Sequence, residues 1–202
     1  MLIKAVIFDL YGTLVSVKNK TNPYKILFDA AVANKDDRIV ELVLSRSFLK
    51  TADQEMSISG GVSDKQEEFN NKLKVEIDST KVYPETIELL QKLKDLNYVV
   101  GVISNSSTPY KEPFYRLGLD VLTDHNIFSC DVGCMKPSRE IYELMQKKIA
   151  VDFKEIIMVG DSLRCDVLGP KAVGMNSILL DRHDLFKEKE KIKNLNEIFR
   201  LI

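Results

Sequence analysis

Short apolar runs alternate with helical segments along most of this chain, and that alternation limits what it can fold into. The runs are Ala5 to Phe8, Tyr98 to Ile103, Ile127 to Ser129, Glu155 to Val159 and Ser177 to Leu180. Runs this short, bounded by polar or glycine residues, read as buried strands. Between them lie helical patterns. Pro84 opens one with Ile87, Leu89, Leu90 and Leu93 on its inner side. A second covers about 110–117 and stops at Gly118. A third starts at Pro137-Ser138 with the stripe Ile141, Leu144 and Met145, and a fourth runs from about Arg164 to Val173. Strands separated by helices cross over and run parallel, with helices on both faces. The expected class is α/β, a three-layer core around a parallel sheet.

The segment from about residue 16 to 82 breaks this rhythm. From about Thr21 to Val82 it holds no strong strand, and its apolar residues recur at helical spacing: Ile26, Leu27, Ala30 and Ala31, then Ile39, Leu42, Val43 and Phe48. Asn22-Pro23 opens the first of these helices, and Gly60-Gly61 interrupts the pattern. Ser63 has the look of an N-cap, with Gln66 as its capping-box partner, ahead of a helix carrying Phe69, Leu73 and Ile77. The reading is a small helical domain, 16–82, inserted into a core made of 1–15 and 83–202.

Composition narrows the function classes. A formal net charge of -1 gives no basic footprint for nucleic acid or an acidic membrane surface. No apolar run approaches the roughly 18 residues of a membrane span. Lys4 and Asp9 interrupt any signal-peptide pattern, so the expected location is cytoplasmic. Three cysteines without a tight pair, and two histidines, argue against disulfides and against a thiolate-imidazole zinc site. The charge run Lys187 to Lys193 is expected as solvated surface.

What the strands end on carries the chemistry. The first ends at Asp9, followed by Tyr11, Gly12 and Thr13; the second at Ser104-Asn105; Lys136 follows the third; Asp161 and Asp166 follow the fourth. In an open parallel sheet these ends share one edge, where ligands bind. A carboxylate, a hydroxyl, an amide, a cation and two further acids would meet there. Clustered acids need a counter-charge, and a hard divalent cation held through oxygens supplies it. Such an ion beside an aspartate also suits a phosphoryl group.

Asp9-Leu10-Tyr11-Gly12-Thr13-Leu14, Val102-Ile103-Ser104-Asn105, Gly133-Cys134-Met135-Lys136-Pro137 and Val159-Gly160-Asp161-Ser162-Leu163-Arg164-Cys165-Asp166 resemble, in order, the four motifs of the haloacid dehalogenase-like hydrolases. The insertion after the first strand resembles the helical cap of one subgroup. The resemblance implies a Rossmann-like core and Asp9 as a nucleophile that forms an aspartyl intermediate. It implies Ser104 and Lys136 as catalytic and substrate-binding groups, with Asn105 and Thr13 also facing substrate. It implies Mg²⁺ held by Asp9, the Tyr11 main-chain carbonyl and Asp161, with Asp166 as a ligand or one step behind. The implied substrate is a small phosphorylated molecule.

One residue departs from the phosphatase pattern. Phosphatases that this chain resembles carry a second aspartate two places after the nucleophile, as acid and base; here it is Tyr11. A phenol with a pKa near 10 is a poor base at neutral pH. Tyrosine there resembles the metal-independent 2-haloacid dehalogenases, whereas Asp161 and Asp166 resemble the phosphatases. Arg38 and Arg46 are the only arginines of the insertion and read as exposed helix residues. The leading expectation is a Mg²⁺-dependent phosphatase. A 2-haloacid dehalogenase, and a catalytically weak relative that binds a phospho-ligand or a protein, are the alternatives.

Overall fold

The computed structural model describes residues 2–26 and 63–202. Six strands form one parallel sheet in the order β5-β4-β1-β6-β7-β8. They are β1 (Ala5–Phe8), β4 (Val99–Ser104), β5 (His125–Phe128), β6 (Ile156–Gly160), β7 (Asn176–Leu180) and β8 (Lys191–Ile192). β1 sits inside the sheet, with Ala5 opposite Val99 on one side and Ile156 on the other. Its four residues are all buried. Side chains alternate across a strand, and the two faces separate cleanly. Val6 and Phe8 join Leu89, Leu90 and Leu93 of α2 (Thr86–Asp95), whereas Ala5 and Ile7 join Ile141, Tyr142 and Met145 of α5 (Arg139–Ile149). This is the expected three-layer α/β core.

β2 (Val15–Val17) and β3 (Thr80–Val82) pair antiparallel as a separate ribbon. The ribbon brackets the inserted segment, and its second strand differs from the expectation that 21–82 holds none. Three residues are too few to show an alternation in sequence; the pairing comes from their meeting β2. A helix starts at Tyr24, after the Asn22-Pro23 step. α1 (Ser63–Asp78) buries Phe69 and Leu73 against Tyr24, Ile26 and Tyr110. The helical stripe from Leu27 to Phe48, both arginines of the insertion, and the capping side chains of Ser63 and Gln66 lie outside the described residues.

The elements after β4 follow the sequence pattern within a residue or two. A 3₁₀ turn (Thr108–Lys111) leads into α3 (Glu112–Arg116), and α4 (Ser129–Val132) begins directly after β5. The helix expected after the fourth strand is a π turn (Leu163–Leu168) running into α6 (Gly169–Ala172). Ile87 is 41% exposed, contrary to expectation. Thr86 takes the first inner position of α2 instead, because its hydroxyl donates to the Leu14 carbonyl at 2.8 Å.

The charged tail is the larger correction. Lys191–Ile192 is not solvated surface but β8, pairing with Leu179 and Leu180. Ile192 is buried, and Lys191 Nζ lies 2.7 Å from both Asp181 Oδ2 and Asp184 Oδ1. Asp181 also accepts the amides of Leu185 (2.8 Å) and Phe186 (2.9 Å). Burial works against its charge, but Lys191 and those two amides prevail and hold its carboxyl well below the usual range.

A carboxyl depressed in the folded state contributes stability that is complete above its unfolded pKa, about 3.9, and fades as pH falls toward the folded value. Asp181→Asn is therefore expected to lower the melting temperature at pH 7 and to flatten its decline below pH about 4. Thermal unfolding followed by circular dichroism between pH 2 and 7 checks this; parallel curves for both proteins would contradict it.

Candidate active site

The sheet delivers four chain segments to one edge. Asp9 is the first residue past β1, and its amide donates to the Val159 carbonyl at 2.9 Å, which fixes where the carboxylate begins. Ser104 ends β4, and Asp161 follows Gly160, the last residue of β6. Lys136 comes from the loop between α4 and α5, and Asp166 from the π turn.

Lys136 Nζ lies 2.7 Å from Asp9 Oδ1 and 2.7 Å from Asp166 Oδ1, and its side chain is 2% exposed. Burial opposes its charge, but the two carboxylates outweigh that and raise its pKa. Asp9 is pushed up to about 7, chiefly by burial and further by Asp166 and Asp161, against the pull of Lys136. Asp161 is raised for the same reasons, burial first and Asp166 next, although it stands on the open side of the cluster. One ligand atom from each of Asp9, Asp161 and Asp166 lies within 4.8 Å of the others. Three carboxylates against one ammonium leave a surplus of negative charge, and the donors are all hard oxygens. That donor set fits a divalent cation such as Mg²⁺. Asp166 is the least free of the three, since its Oδ2 accepts the Ser162 amide at 3.0 Å while Oδ1 holds Lys136.

Two glycines make room for these acids. Gly12 has φ +83°, and a Cβ there would lie 2.0 Å from Asp161 Oδ2. A Cβ at Gly160 would lie 2.3 Å from Asp166 Oδ2. Neither position can carry a side chain with the acids where they stand.

Two of the expected substrate groups are engaged with the chain itself. Asn105 Nδ2 donates to the Lys136 carbonyl, and Asn105 Oδ1 accepts the Lys136 amide, both at 2.8 Å. Its side-chain amide clasps the backbone that carries the lysine. Thr13 is fully buried, and its hydroxyl reaches toward Asp9 Oδ2 at 3.4 Å. Ser104 Oγ pairs with Ser106 Oγ at 2.6 Å, and the Ser106 amide donates to Ser129 Oγ.

Other groups at this edge escaped the sequence reading. Arg182, just past β7, donates to the Thr13 carbonyl at 2.9 Å, pairs with Glu85 at 2.7 Å and stacks 3.7 Å from the Tyr83 ring centroid. It ties the loop after Asp9 to the return strand of the insertion. Its place at a strand end was the legible signal. Glu76 is a buried acid on α1 that accepts the Thr21 and Asn22 amides and the Tyr110 hydroxyl. A carboxylate in register with Phe69 and Leu73 on one helix face marks it in the sequence.

A parallel α/β sheet with an aspartate at the end of an inner strand, opposed by a lysine and further acids, defines a class of hydrolase. A family model described as haloacid dehalogenase-like hydrolase matches residues 3–174, and the chain belongs to that family. A glyceraldehyde 3-phosphate phosphatase of Pyrococcus abyssi is 36% identical over 97 residues, 47% of this chain and 40% of that relative. The chain spans about half or less of the length of the curated relatives it matches. Among solved structures, a HAD phosphatase from Thermococcus onnurineus superposes with a TM-score of 0.72 at 24% identity, covering 98% of this chain and 97% of that one. A dehalogenase crystallised as an intermediate complex gives 0.71 at 21% identity, covering 99% and 97%. At such identities these two bear on the fold alone.

Removing Lys136 would leave Asp9 and Asp166 as buried, unpaired charges, which typically costs on the order of 3–5 kcal/mol. Lys136→Met is expected to lose about that much in urea unfolding at pH 8 without added metal. Adding Asp9→Asn to Lys136→Met should recover part of it. A double variant no more stable than Lys136→Met would contradict the pairing.

Proposed function

We propose that this chain is a Mg²⁺-dependent phosphatase for a small phosphorylated metabolite, working through an aspartyl-phosphate on Asp9, with residues 16–82 as a cap over a core of 1–15 and 83–202. The observation that carries the reading is the cluster of Asp9, Asp161 and Asp166 around one lysine. A metal-free site for a halide-bearing acid has no need of three acids. The phosphatase names of several curated relatives support the same reading.

In this mechanism an Asp9 oxygen attacks phosphorus, the bond from phosphorus to the substrate oxygen breaks, and water later releases phosphate from Asp9. Lys136 holds the Asp9 carboxylate in place and offsets the charge of the phosphoryl group. Ser104 offers its hydroxyl to a phosphoryl oxygen. Asp166 keeps Lys136 aligned, and Asn105 keeps its backbone in register. Mg²⁺, held by Asp9, Asp161 and the Tyr11 carbonyl with Asp166 behind them, would neutralise phosphoryl charge so that one anion can approach another.

Tyr11 favours a second reading, the metal-independent 2-haloacid dehalogenase, because halide leaves carbon without needing a proton. Chloride release from 2-chloropropionate in EDTA tests it.

The expected result across a panel of phosphorylated metabolites is phosphate release that requires Mg²⁺ and disappears in Asp9→Asn; equal turnover in EDTA would overturn the reading. Without an aspartate to activate water, the aspartyl-phosphate should accumulate. On a substrate with a good leaving group, rapid-quench measurements are then expected to show a burst of that leaving group before the steady state, and its linear release from the first turnover would count against slow water attack.

A further inference from the structure

Tyr11 stands two residues beyond Asp9, where the chain leaves the sheet toward β2. Its phenol is built into the joint between core and insertion. The hydroxyl donates to the Tyr110 carbonyl at 2.8 Å, and the ring stands edge-on to Tyr110 with centroids 5.6 Å apart. Tyr110 in turn hydrogen-bonds Glu76 and lies against Tyr24, whose ring is edge-on to Phe69 of α1. The proton nearest the nucleophile in sequence is therefore engaged elsewhere.

The other protons of the site are engaged as well. The Lys136 ammonium is shared between Asp9 and Asp166. The Thr13 hydroxyl is turned to Asp9, and Ser104 pairs with Ser106. In the phosphatase reading Asp161 is a cation ligand. Among the described residues, the strand ends supply charge neutralisation in quantity and little means of handing a proton to a departing oxygen.

We infer that the site is built for phosphoryl donors whose leaving group departs as a stable anion, namely acyl phosphates and phosphoanhydrides, in preference to phosphate esters of ordinary alcohols. The inference rests on the phosphatase reading above. The step balances without an acid. Asp9 forms a bond to phosphorus, the bond to the leaving oxygen breaks, and that oxygen keeps the electron pair. Water then attacks phosphorus, the bond to Asp9 breaks, and the water's proton passes to the released phosphate and on to solvent. A carboxylate with a pKa near 4 or a phosphate with a second pKa near 6 leaves readily in this way. An alcohol oxygen resembles water, whose pKa is about 15.7, and needs a proton as it goes. A positioned acid is typically worth about 10²–10⁴-fold, so a site whose described residues offer none should separate the two classes by a similar factor.

The test measures kcat/KM for the wild-type chain with Mg²⁺ on acetyl phosphate, pyrophosphate, p-nitrophenyl phosphate and glycerol 3-phosphate. The last stands for the alcohol esters that the name of the curated relatives describes. The expected result is a fall of at least about 100-fold from the better of the first two to glycerol 3-phosphate, with p-nitrophenyl phosphate between them. Whichever of acetyl phosphate and pyrophosphate is faster identifies the anhydride type. Rates within about tenfold across all four would overturn the inference while leaving the phosphatase reading intact. Failure of all four, and of the metabolite panel, would overturn both. Tyr11→Phe provides a second measure. The ratio of acetyl phosphate to glycerol 3-phosphate activity should stay within about threefold of wild type; a rise beyond about tenfold would make Tyr11 the proton donor and overturn the inference.

Discussion

Lys136 is the point on which the site depends. Its ammonium is almost wholly buried and sits 2.7 Å from carboxylates on two different segments. Each of those acids would be costly alone, since an unpaired buried charge is among the most unfavourable things a fold can hold. Together with Lys136 they form a unit that tolerates burial, and the unit explains its surroundings. Asn105 clasps the lysine's backbone at both its amide and its carbonyl. Gly160 leaves space for Asp166, and Gly12 leaves space for Asp161. Asp161 forms no ion pair among the described residues, and a divalent cation fits the remaining negative charge.

A second set of contacts joins this site to the inserted segment. Glu76 on α1 gathers the Thr21 and Asn22 amides at the entry to the insertion and the Tyr110 hydroxyl from the far side of β4. Arg182 does the equivalent at the return, linking Glu85 and Tyr83 to the Thr13 carbonyl. Both crossings are therefore linked to the loop after Asp9, one through Tyr110 to Tyr11 and the other directly at Thr13. Tyr11 belongs to this system as much as to the site, since its hydroxyl serves the joint. A residue that in sequence looks like a lost catalytic acid is, in the fold, a structural link.

The sheet was largely legible because β1, β4 and β6 are short apolar runs buried on both faces, which leaves few polar residues to blur the pattern. The acids and lysine of the site were legible for a related reason: a charged residue at the end of a buried strand stands out. The departures lie where burial depends on a partner distant in sequence. Lys191 and Ile192 form a strand only because Asp181, ten residues earlier, pairs with the lysine and because β7 offers an edge. β3 exists only because β2 lies beside it. Ile87 yields its inner place to Thr86, whose hydroxyl has the Leu14 carbonyl to satisfy, 72 residues away.

Local pattern was enough for the layer architecture, the main alternation of strands and helices and the charged groups at one edge of the sheet, because strand period, helix period and turn residues are local properties. Only the tertiary structure decided what each of those groups faces. It turned Asn105 onto the Lys136 backbone, the Thr13 hydroxyl toward Asp9, Asp166 onto the lysine and the Tyr11 phenol onto the Tyr110 carbonyl. A side chain's hydrogen-bond partner is set by what packs beside it, and here those partners come from segments that meet only when the sheet closes.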